Sequence, residues 1–328
     1  MCTYNGARHV GEQLQSIAAQ TRPPAELIVC DDHSTDDTAD IVRRFAEAAP
    51  FPVRLMINEQ NLGSTRNFDG AIRACEGDLI ALADQDDVWM PHKLEKIEAE
   101  FARPNVGLVF TDGDVVDEHM RPLGYTIWQS LDFNASRQEM FRRGATFQAL
   151  LSQNVVTGAT MAFRASYKGL VLPLREAMLS RYGVKNWKFI HDAWIALMIA
   201  AVADVVPLSE SLLKYRQHSA QQLGINAPIA KEDPAQSWRE RSSGRYKELI
   251  QDELRLLTII RERLAERTGF DCRKVLDDVN ARVEHLEARL NLSDNRFARI
   301  PTVLRELFGS RYFRYSNGLL SAARDLFL

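Results

Sequence analysis

The stretch LIALADQDD, residues 79–87, joins five apolar residues directly to a cluster of three aspartates. The apolar half has the composition of a central strand in a parallel sheet, which is buried on both faces. The acidic half begins where that strand should end, and open α/β sheets bind their ligands outside the carboxyl ends of their strands. The stretch therefore predicts an α/β sheet whose ligand site is lined by carboxylates.

The sequence around this stretch alternates short apolar runs with amphipathic helical patterns, which predicts a mostly parallel sheet with helices on both faces. We predict strands at 27–30, 53–57, 79–83, 107–110 and 155–163. Helical patterns cover 10–18, 41–45, 67–75 and 94–101, and the run 193–203 predicts a buried helix. Ser34 is the expected N-cap of the second helix.

The pattern changes in the second half of the chain. Beyond Pro228 and Pro234 no strand is predicted, and apolar residues recur at three- and four-residue spacing through 246–264 and 275–290. This spacing predicts an antiparallel helical pair. We therefore predict an α/β domain over residues 1–230 and an all-α extension over residues 231–328.

The overall composition is that of an ordinary globular protein. Of 328 residues, 45% are hydrophobic and 26% are charged, which excludes global disorder. A net charge of −3 argues against a dedicated nucleic-acid binder. The longest apolar run is too short to span a bilayer, polar residues at the start argue against a signal peptide, and the four cysteines form no CxxC pair. A reduced, cytoplasmic protein is expected.

The charge is distributed unevenly. Residues 1–234 carry 23 basic and 30 acidic side chains, whereas residues 296–328 carry six basic and two acidic. An acidic body would repel a phosphorylated ligand unless a cation lay between them. The tail, 310–328, combines arginines with an apolar helical stripe, which suits peripheral contact with an anionic membrane. Packing against the body or against a homodimer partner would give the same stripe, and both interpretations stay open.

The aspartate cluster predicts a divalent cation. Asp84 and Asp86 are two residues apart, so in an extended segment both side chains point the same way. Two carboxylates that face one pocket need a cation or a proton between them. Oxygen ligands of this kind suit Mg²⁺ or Mn²⁺. The alternative interpretation is a solvated turn that caps the next helix.

Four motifs, in order and spacing, resemble glycosyltransferase family 2. They are Cys2-Thr3-Tyr4-Asn5-Gly6, VCDDHSTD at 29–36, Asn61-Leu62-Gly63 and ADQDDVW at 83–89. The resemblance covers about residues 1–225 and implies the GT-A fold, with a nucleotide-sugar half near 1–110 and an acceptor half near 111–230. It also implies inverting transfer from a nucleotide-diphosphate sugar to a cell-surface glycan or lipid-linked acceptor. The DQDDVW form, with YRQH at 215–218, is similar to the rhamnosyltransferase-like branch, which implies a deoxysugar such as rhamnose from a dTDP- or UDP-sugar.

The resemblance also implies roles for individual residues. Asp192 would be the general base; its other interpretation is a helix N-cap. The nucleotide-sugar contacts would be Thr3, Tyr4, Asp32, Arg66, Asp84 and Gln85. The metal ligands would be Asp84, Asp86 and His218. Further donor or acceptor contacts would be Asp87, Trp89, Gly158, His191 and Arg216. A structural hydrogen bond is the alternative for His218, and a core position is the alternative for Trp89.

Two departures from the family pattern bear on function. Met1 lies almost at the end of the strand that the family places before Thr3, so we expect a shortened strand there, through a misassigned start, a substitute segment or a weakened protein. The Gln-x-x-Arg-Trp motif of processive synthases is absent from the sequence, which favours a single transfer per encounter. The alternatives are a catalytically weak nucleotide-sugar-binding protein of the same fold, a nucleotidyltransferase, and a helical interaction scaffold.

Overall fold

A computed structural model of the chain describes residues 1–181, 184–219, 221, 224, 246–267 and 269–327. The chain divides into two compact units. The first comprises Met1–Glu176 and Phe189–Lys231, and the second comprises Ala177–Lys188 and Glu232–Leu328. The predicted domain boundary near residue 230 lies outside the described residues.

The strands and helices are numbered along the whole chain. The strands are β1 (Cys2–Thr3), β2 (Leu27–Asp31), β3 (Val53–Ile57), β4 (Leu79–Ala81), β5 (Val88–Trp89), β6 (Val106–Asp117), β7 (Pro122–Thr126), β8 (Met161–Arg164), β9 (Ala177–Arg181), β10 (Val184–Phe189) and β11 (Asp204–Gln217). The helices are α1 (Val10–Ala18), α2 (Thr38–Ala48), α3 (Ser64–Ala74), α4 (Lys93–Glu100), α5 (Ile127–Ser130), α6 (Ala135–Arg142), α7 (Thr146–Ser152), α8 (Lys168–Val171), α9 (His191–Ala200), α10 (Tyr246–Glu266), α11 (Arg273–Leu290), α12 (Arg296–Phe308), α13 (Arg311–Tyr315) and α14 (Leu319–Phe327).

The first unit is built on two sheets that meet at β1. The first sheet is parallel and has the order β1-β2-β3. The second has the order β4-β8-β6-β11-β5, with β7 paired to β6. This sheet is mixed. β6 and β11 are parallel to each other, whereas β8 is antiparallel to β4 and β6, and β5 is antiparallel to β11. The backbone N–H of Cys2 donates to the carbonyl of Ala83 at 3.2 Å, which joins the sheets directly before the aspartate cluster.

The short strand β1 is paired on both sides. On the side of β2, the Met1 ammonium group donates to the Ile28 carbonyl at 2.7 Å and the Met1 carbonyl accepts from the Cys30 N–H at 3.0 Å. Met1 and Cys2 are both buried. The two-residue strand thus lies between β2 and the end of β4, and its last residue, Thr3, begins the Thr3-Tyr4 motif.

The apolar runs fold as predicted, although several bounds differ. β3 and α1 have the predicted bounds, β2 ends one residue later than predicted, and α9 covers His191–Ala200 rather than 193–203. Ala193–Ile199 of α9 are all at most 4% exposed. β4 is shorter than predicted, and β6 extends on to Asp117 because its whole length pairs with β11. The predicted strand 155–163 is a strand only from Met161, since Gly158–Thr160 form a 3₁₀ turn.

The prediction that Ser34 caps the second helix is wrong. α2 begins at Thr38, and Asp37 occupies the N-cap position. Ser34 instead gives both donors to the Asp31 carboxylate, its N–H at 2.8 Å and its hydroxyl at 2.6 Å. The carboxylate at the end of β2 therefore fixes the turn that the serine occupies.

The second unit contains α10–α14 together with β9 and most of β10, a hairpin that precedes the predicted boundary in the sequence. The helical pair predicted over 246–264 and 275–290 is present as α10 and α11. The core of α12–α14 centres on Val303, Tyr312 and Ala322. Within the described residues, each helix is too short or too polar to cross a membrane.

Candidate functional site

The aspartate cluster follows β4, as predicted, and meets the end of β11. The Oδ2 atom of Asp86 lies 2.9 Å from Nε2 of His218, which directly follows β11. Their side chains are 17% and 9% exposed, so both are mostly shielded but remain reachable from solvent. The structure therefore brings together two residues that were predicted as metal ligands from stretches 132 positions apart.

A third acidic residue, Asp192, acts on the same cluster. Burial, together with the negative charges of Asp86 and Asp192, raises the pKa of Asp84 to about 7. Carboxylates that repel one another at close range favour a proton or a cation between them. The first unit thus gathers carboxylates from the β4 loop and from the start of α9.

Asp192 lies in the first turn of α9. Its carboxylate accepts the N–H of Ala193 at 2.5 Å and the N–H of Gly158, while burial raises its pKa to about 6. The N-cap of α9 is Ile190, so the alternative interpretation of Asp192 as the N-cap is not what the structure has. Asp192 is instead a half-buried carboxylate held by backbone donors from two elements.

Gly158 and His191 pack closely beside Asp192. A Cβ atom on Gly158 would lie 3.1 Å from Nε2 of His191 and 3.7 Å from Cβ of Asp192. The His191 ring stacks on Phe68 with 4.2 Å between centroids and is 5% exposed. The glycine therefore allows the 3₁₀ turn to reach Asp192, and His191 is part of the packing around that turn.

Asp87 and Arg216 anchor the loop rather than face solvent. Both are buried. The Asp87 Oδ1 atom accepts the Arg216 N–H at 3.1 Å, and no described residue forms a hydrogen bond with Oδ2 of Asp87. The guanidinium of Arg216 donates to the carbonyls of Asp86, at 2.8 Å, and Glu118, at 2.9 Å, and pairs with Glu12. Arg216 thereby fixes the backbone of the loop that carries the aspartate cluster, residues 84–87, to β11.

Gln85 and Tyr4 join the loop to β1. The Gln85 carboxamide accepts the Tyr4 N–H at 2.8 Å and donates to the Tyr4 carbonyl at 3.0 Å. The Tyr4 side chain is 48% exposed, so its ring is available to a ligand. A Cβ atom on Gly6 would overlap the Gln85 carboxamide, which explains the glycine there.

The other residues predicted to contact the nucleotide differ in how freely they can do so. The Thr3 hydroxyl donates to Asp31 at 2.7 Å. Asp32 is buried and accepts the N–H groups of Leu62 and Gly63, each at 2.8 Å, and the Asn58 amide at 2.8 Å. These bonds hold the Asn61-Leu62-Gly63 motif in place. Arg66 is exposed in the first turn of α3.

Trp89 lies in the core and is 5% exposed, which matches the alternative given for it above. Its indole ring lies 4.2 Å from the ammonium nitrogen of Lys93. The backbone N–H of Trp89 donates to the hydroxyl of Ser16 at 3.0 Å, which ties β5 to α1. Trp89 is therefore a core residue that supports the loop of the aspartate cluster.

Sequence reasoning missed Lys93, which is fully buried directly behind the cluster. Its ammonium group donates to the Ala159 carbonyl at 2.5 Å. Burial lowers the pKa of Lys93 to about 7, opposed by the charges of Asp87 and Asp84. The helical spacing could have revealed it, because Lys93 is four residues before Ile97 and eight before Phe101, on the buried face of α4.

The side chains of the protein supply only part of the ligands that a divalent cation needs. Among the described residues, no three His, Cys, Asp or Glu side chains are grouped so that they could hold a metal ion. Asp86 and His218 are nevertheless adjacent, and Asp84 is close enough for Asp86 to raise its pKa. Such a set suits Mg²⁺ or Mn²⁺ when phosphate oxygens complete the coordination, as is usual for Mg²⁺ in proteins.

Known proteins resemble this chain in sequence. A model of the family described as glycosyl transferase family 2 matches residues 1–167. An uncharacterised glycosyltransferase from Nostoc sp. is 28% identical over 236 residues, which is 71% of this chain and 68% of the relative. An Escherichia coli UDP-Glc:α-D-GlcNAc-diphosphoundecaprenol β-1,3-glucosyltransferase is 26% identical over 134 residues, 41% of this chain and 52% of that protein.

A solved structure shares the fold. The Staphylococcus aureus protein TarS, residues 1–349, in complex with UDP-GlcNAc, superposes with a TM-score of 0.56 at 15% identity. The match covers 96% of this chain and 82% of that one. The GT-A fold expected from the sequence is confirmed. The family match extends over more than half of the chain, including β1, the Asp31-Asp32 turn and the aspartate cluster, so the chain belongs to glycosyl transferase family 2 and is a glycosyltransferase.

Proposed function

We propose that the protein moves a sugar from a nucleotide-diphosphate donor to a hydroxyl group of a glycan or lipid-linked acceptor, in a single inverting displacement. One observation carries the proposal: Asp84 and Asp86 of the β4 loop and Asp192 of α9, which is far from them in sequence, interact electrostatically in the first unit. The glycosyltransferase family to which the chain belongs gives this acidic site its chemical meaning.

Asp192 would be the general base. Inversion needs the acceptor hydroxyl to attack the anomeric carbon opposite the leaving diphosphate, and a carboxylate must take the hydroxyl proton. With a pKa of about 6, Asp192 is ionised at neutral pH and is more basic than an ordinary carboxylate. Proton transfer to such a base typically accelerates a reaction by roughly 10²–10⁴-fold.

Asp84 and Asp86, with His218, would hold Mg²⁺ or Mn²⁺ against the donor diphosphate. A bound divalent ion supplies positive charge to the leaving phosphate oxygens. The chain's own contribution is orientation, because Arg216 and Gln85 fix the loop backbone that carries these ligands. The exposed Tyr4 ring would lie against the nucleotide base.

The finer specificity is also part of the proposal. The rhamnosyltransferase-like motifs support a deoxysugar such as rhamnose, carried by dTDP or UDP. The Escherichia coli relative is named for a diphosphoundecaprenol-linked acceptor, which supports a lipid-linked acceptor here. Such an acceptor would keep the reaction at a membrane surface, in agreement with the peripheral membrane contact that the composition of residues 310–328 suits.

A donor panel tests this function. Thermal-shift measurements with UDP- and dTDP-sugars in Mn²⁺ should identify a stabilising donor, because a ligand that binds only the native state raises its melting temperature. That donor should then be consumed with Mn²⁺ and preserved when EDTA is added. Donor binding without hydrolysis or transfer would point to a nucleotide-sugar-binding protein. Release of pyrophosphate from a nucleoside triphosphate and a sugar phosphate would point to a nucleotidyltransferase, and either result would refute the proposal.

A further inference from the structure

Helix α12 exposes an apolar face. Phe297, Ile300, Leu304 and Phe308 recur at three- and four-residue spacing, so they lie on one side of the helix. Their exposed fractions are 82%, 40%, 40% and 83%. The opposite side of the helix carries Glu306, which is 1% exposed. The buried side of α12 thus combines the apolar Val303 with the charged Glu306, whereas its exposed side carries several large apolar residues.

Helix α14 also exposes large apolar residues. Leu319, Leu320 and Phe327 are 62%, 66% and 63% exposed. Ser321 and Asp325 lie on its other face and are buried. α12 and α14 pack against each other, so the second unit carries neighbouring helices whose apolar sides face outward.

The buried side of these helices is held together by polar groups. Asp325 accepts hydrogen bonds from Arg289, at 2.7 Å, and from the Tyr312 hydroxyl, at 2.6 Å. His285 and Glu306 are 2.9 Å apart and are both buried. These partners fix the orientation of the helices, so the outward apolar faces follow from a fully paired interior.

Charge distinguishes the surface further. Residues 296–328 contain six arginines and two acidic residues, and both acidic side chains are the buried Glu306 and Asp325. Arg296, Arg305 and Arg314 are exposed, although Arg305 pairs with Glu306 at 3.3 Å and Arg314 with Asp278 at 2.6 Å. The outside of this segment is therefore apolar and basic.

We propose that the outward faces of α12 and α14, together called the α12–α14 surface, dock on a membrane that contains anionic lipid. Phenylalanine and leucine side chains would enter the interface between headgroups and acyl chains, and the arginines would lie among anionic headgroups. A second copy of the chain fits less well, because a twofold interface through this surface would bring the arginines of both copies together. The inference extends the predicted contact of residues 310–328 to α12, and it depends on the helical unit alone, not on sugar transfer.

Vesicle sedimentation of the full-length protein tests the proposal. The wild type should bind phosphatidylcholine vesicles containing phosphatidylglycerol, bind pure phosphatidylcholine vesicles less, and lose affinity as salt is raised. Phe297→Ser combined with Phe308→Ser should lower the partition coefficient at least about tenfold, because two large apolar groups no longer leave water. The matched control is Ile57→Ser with Leu123→Ser, which removes exposed apolar residues of the first unit, 46% and 43% exposed. This control should bind like the wild type.

Three outcomes would overturn the proposal. They are wild-type protein that stays in the supernatant, a Phe297→Ser/Phe308→Ser protein that binds as well as the wild type, and a wild-type dimer in light scattering that those two changes dissociate without any vesicle binding. Thermal shift by UDP or dTDP with Mn²⁺ on the same proteins checks that the first unit is intact. A wild type that binds vesicles but no nucleotide would refute the proposed function and leave the membrane surface standing.

Discussion

At the scale of single residues, burial determines what the carboxylates of the site can do. Asp192 is half-buried where α9 meets the 3₁₀ turn, and this burial raises its pKa to about 6. The Asp32 carboxylate is buried and accepts hydrogen bonds from the N–H groups of Leu62 and Gly63. The motif pattern predicted both as functional. It could not reveal the three hydrogen bonds of Asp32, because these depend on a loop that lies about thirty positions away in the sequence.

Replacing Asp192 by Asn should leave donor binding intact and lower the transfer rate by roughly 10²–10⁴-fold, since the amide cannot accept a proton. Steady-state transfer and donor affinity, measured on the same preparation, separate the two effects. Asp204→Asn, at an exposed aspartate at the start of β11, is the matched control and should be unaffected. A near-wild-type rate for Asp192→Asn would remove this residue as the base.

The transfer rate should depend on pH through the same group. A base works only when it is ionised, and the raised pKa of Asp192 means that the ionised form predominates above about pH 6. Below that value kcat/KM should fall tenfold per pH unit, and above it the rate should level off. A pH–rate profile without an acid limb between pH 5 and 7 would contradict this assignment.

Lys93→Met should destabilise the protein strongly. The change leaves the Ala159 carbonyl without its ammonium donor and removes the cation beside Asp84 and Asp87. Breaking a buried charge pair costs about 3–5 kcal/mol of unfolding free energy. Lys96→Met on the same helix is the control: Lys96 pairs with Glu210 at the surface, and its loss should cost less than about 1 kcal/mol. Equal losses in urea unfolding would show that Lys93 supplies no charge compensation.

At the scale of elements, apolar runs predicted the strands well where the chain is buried on both sides. β3 was predicted to the residue, and β2 differs by one. The polar residues in the second half of β6, Thr111, Asp112 and Asp114, hid its extension, because that stretch is a strand through its pairing with β11 and β7. The 3₁₀ turn at Gly158 was hidden for a similar reason: it forms where the glycine meets His191 and Asp192 from another part of the chain.

Gly6→Ala tests whether β1 positions the loop that carries the aspartate cluster. The new methyl group would displace the Gln85 carboxamide from the Tyr4 backbone. Overpacking of this kind costs about 1–3 kcal/mol, and we expect the affinity for UDP or dTDP with Mn²⁺ to fall in parallel. Gly11→Ala in α1 is the matched control, since its Cβ would meet only Ile41 at 4.0 Å. It should be neutral or stabilising by up to about 1 kcal/mol. Unchanged nucleotide affinity in Gly6→Ala would show that Gln85 does not position the loop.

At the scale of the whole molecule, the sequence predicted a GT-A domain followed by helices, and it left open what the apolar tail does. In the structure, some apolar residues of the tail are buried and others are exposed. Tyr312 and Tyr315 turn inward because their hydroxyls reach Asp325 and Asp278, while Leu319, Leu320 and Phe327 stay exposed. Helical periodicity places these residues on faces but does not show which face finds partners, because the partners come from α11 and α14.

The central claim of the proposal is that Asp84 and Asp86 of the β4 loop, with His218 at the end of β11, hold one divalent ion against the donor diphosphate. Calorimetric titration of UDP and dTDP into the wild type, Asp86→Ala and the surface control Asp40→Ala tests it most directly. We expect Mn²⁺-dependent binding that EDTA abolishes, at least about tenfold weaker binding by Asp86→Ala, and no change for Asp40→Ala. Equal nucleotide affinity in Asp86→Ala and wild type, or binding that is indifferent to EDTA, would contradict the account.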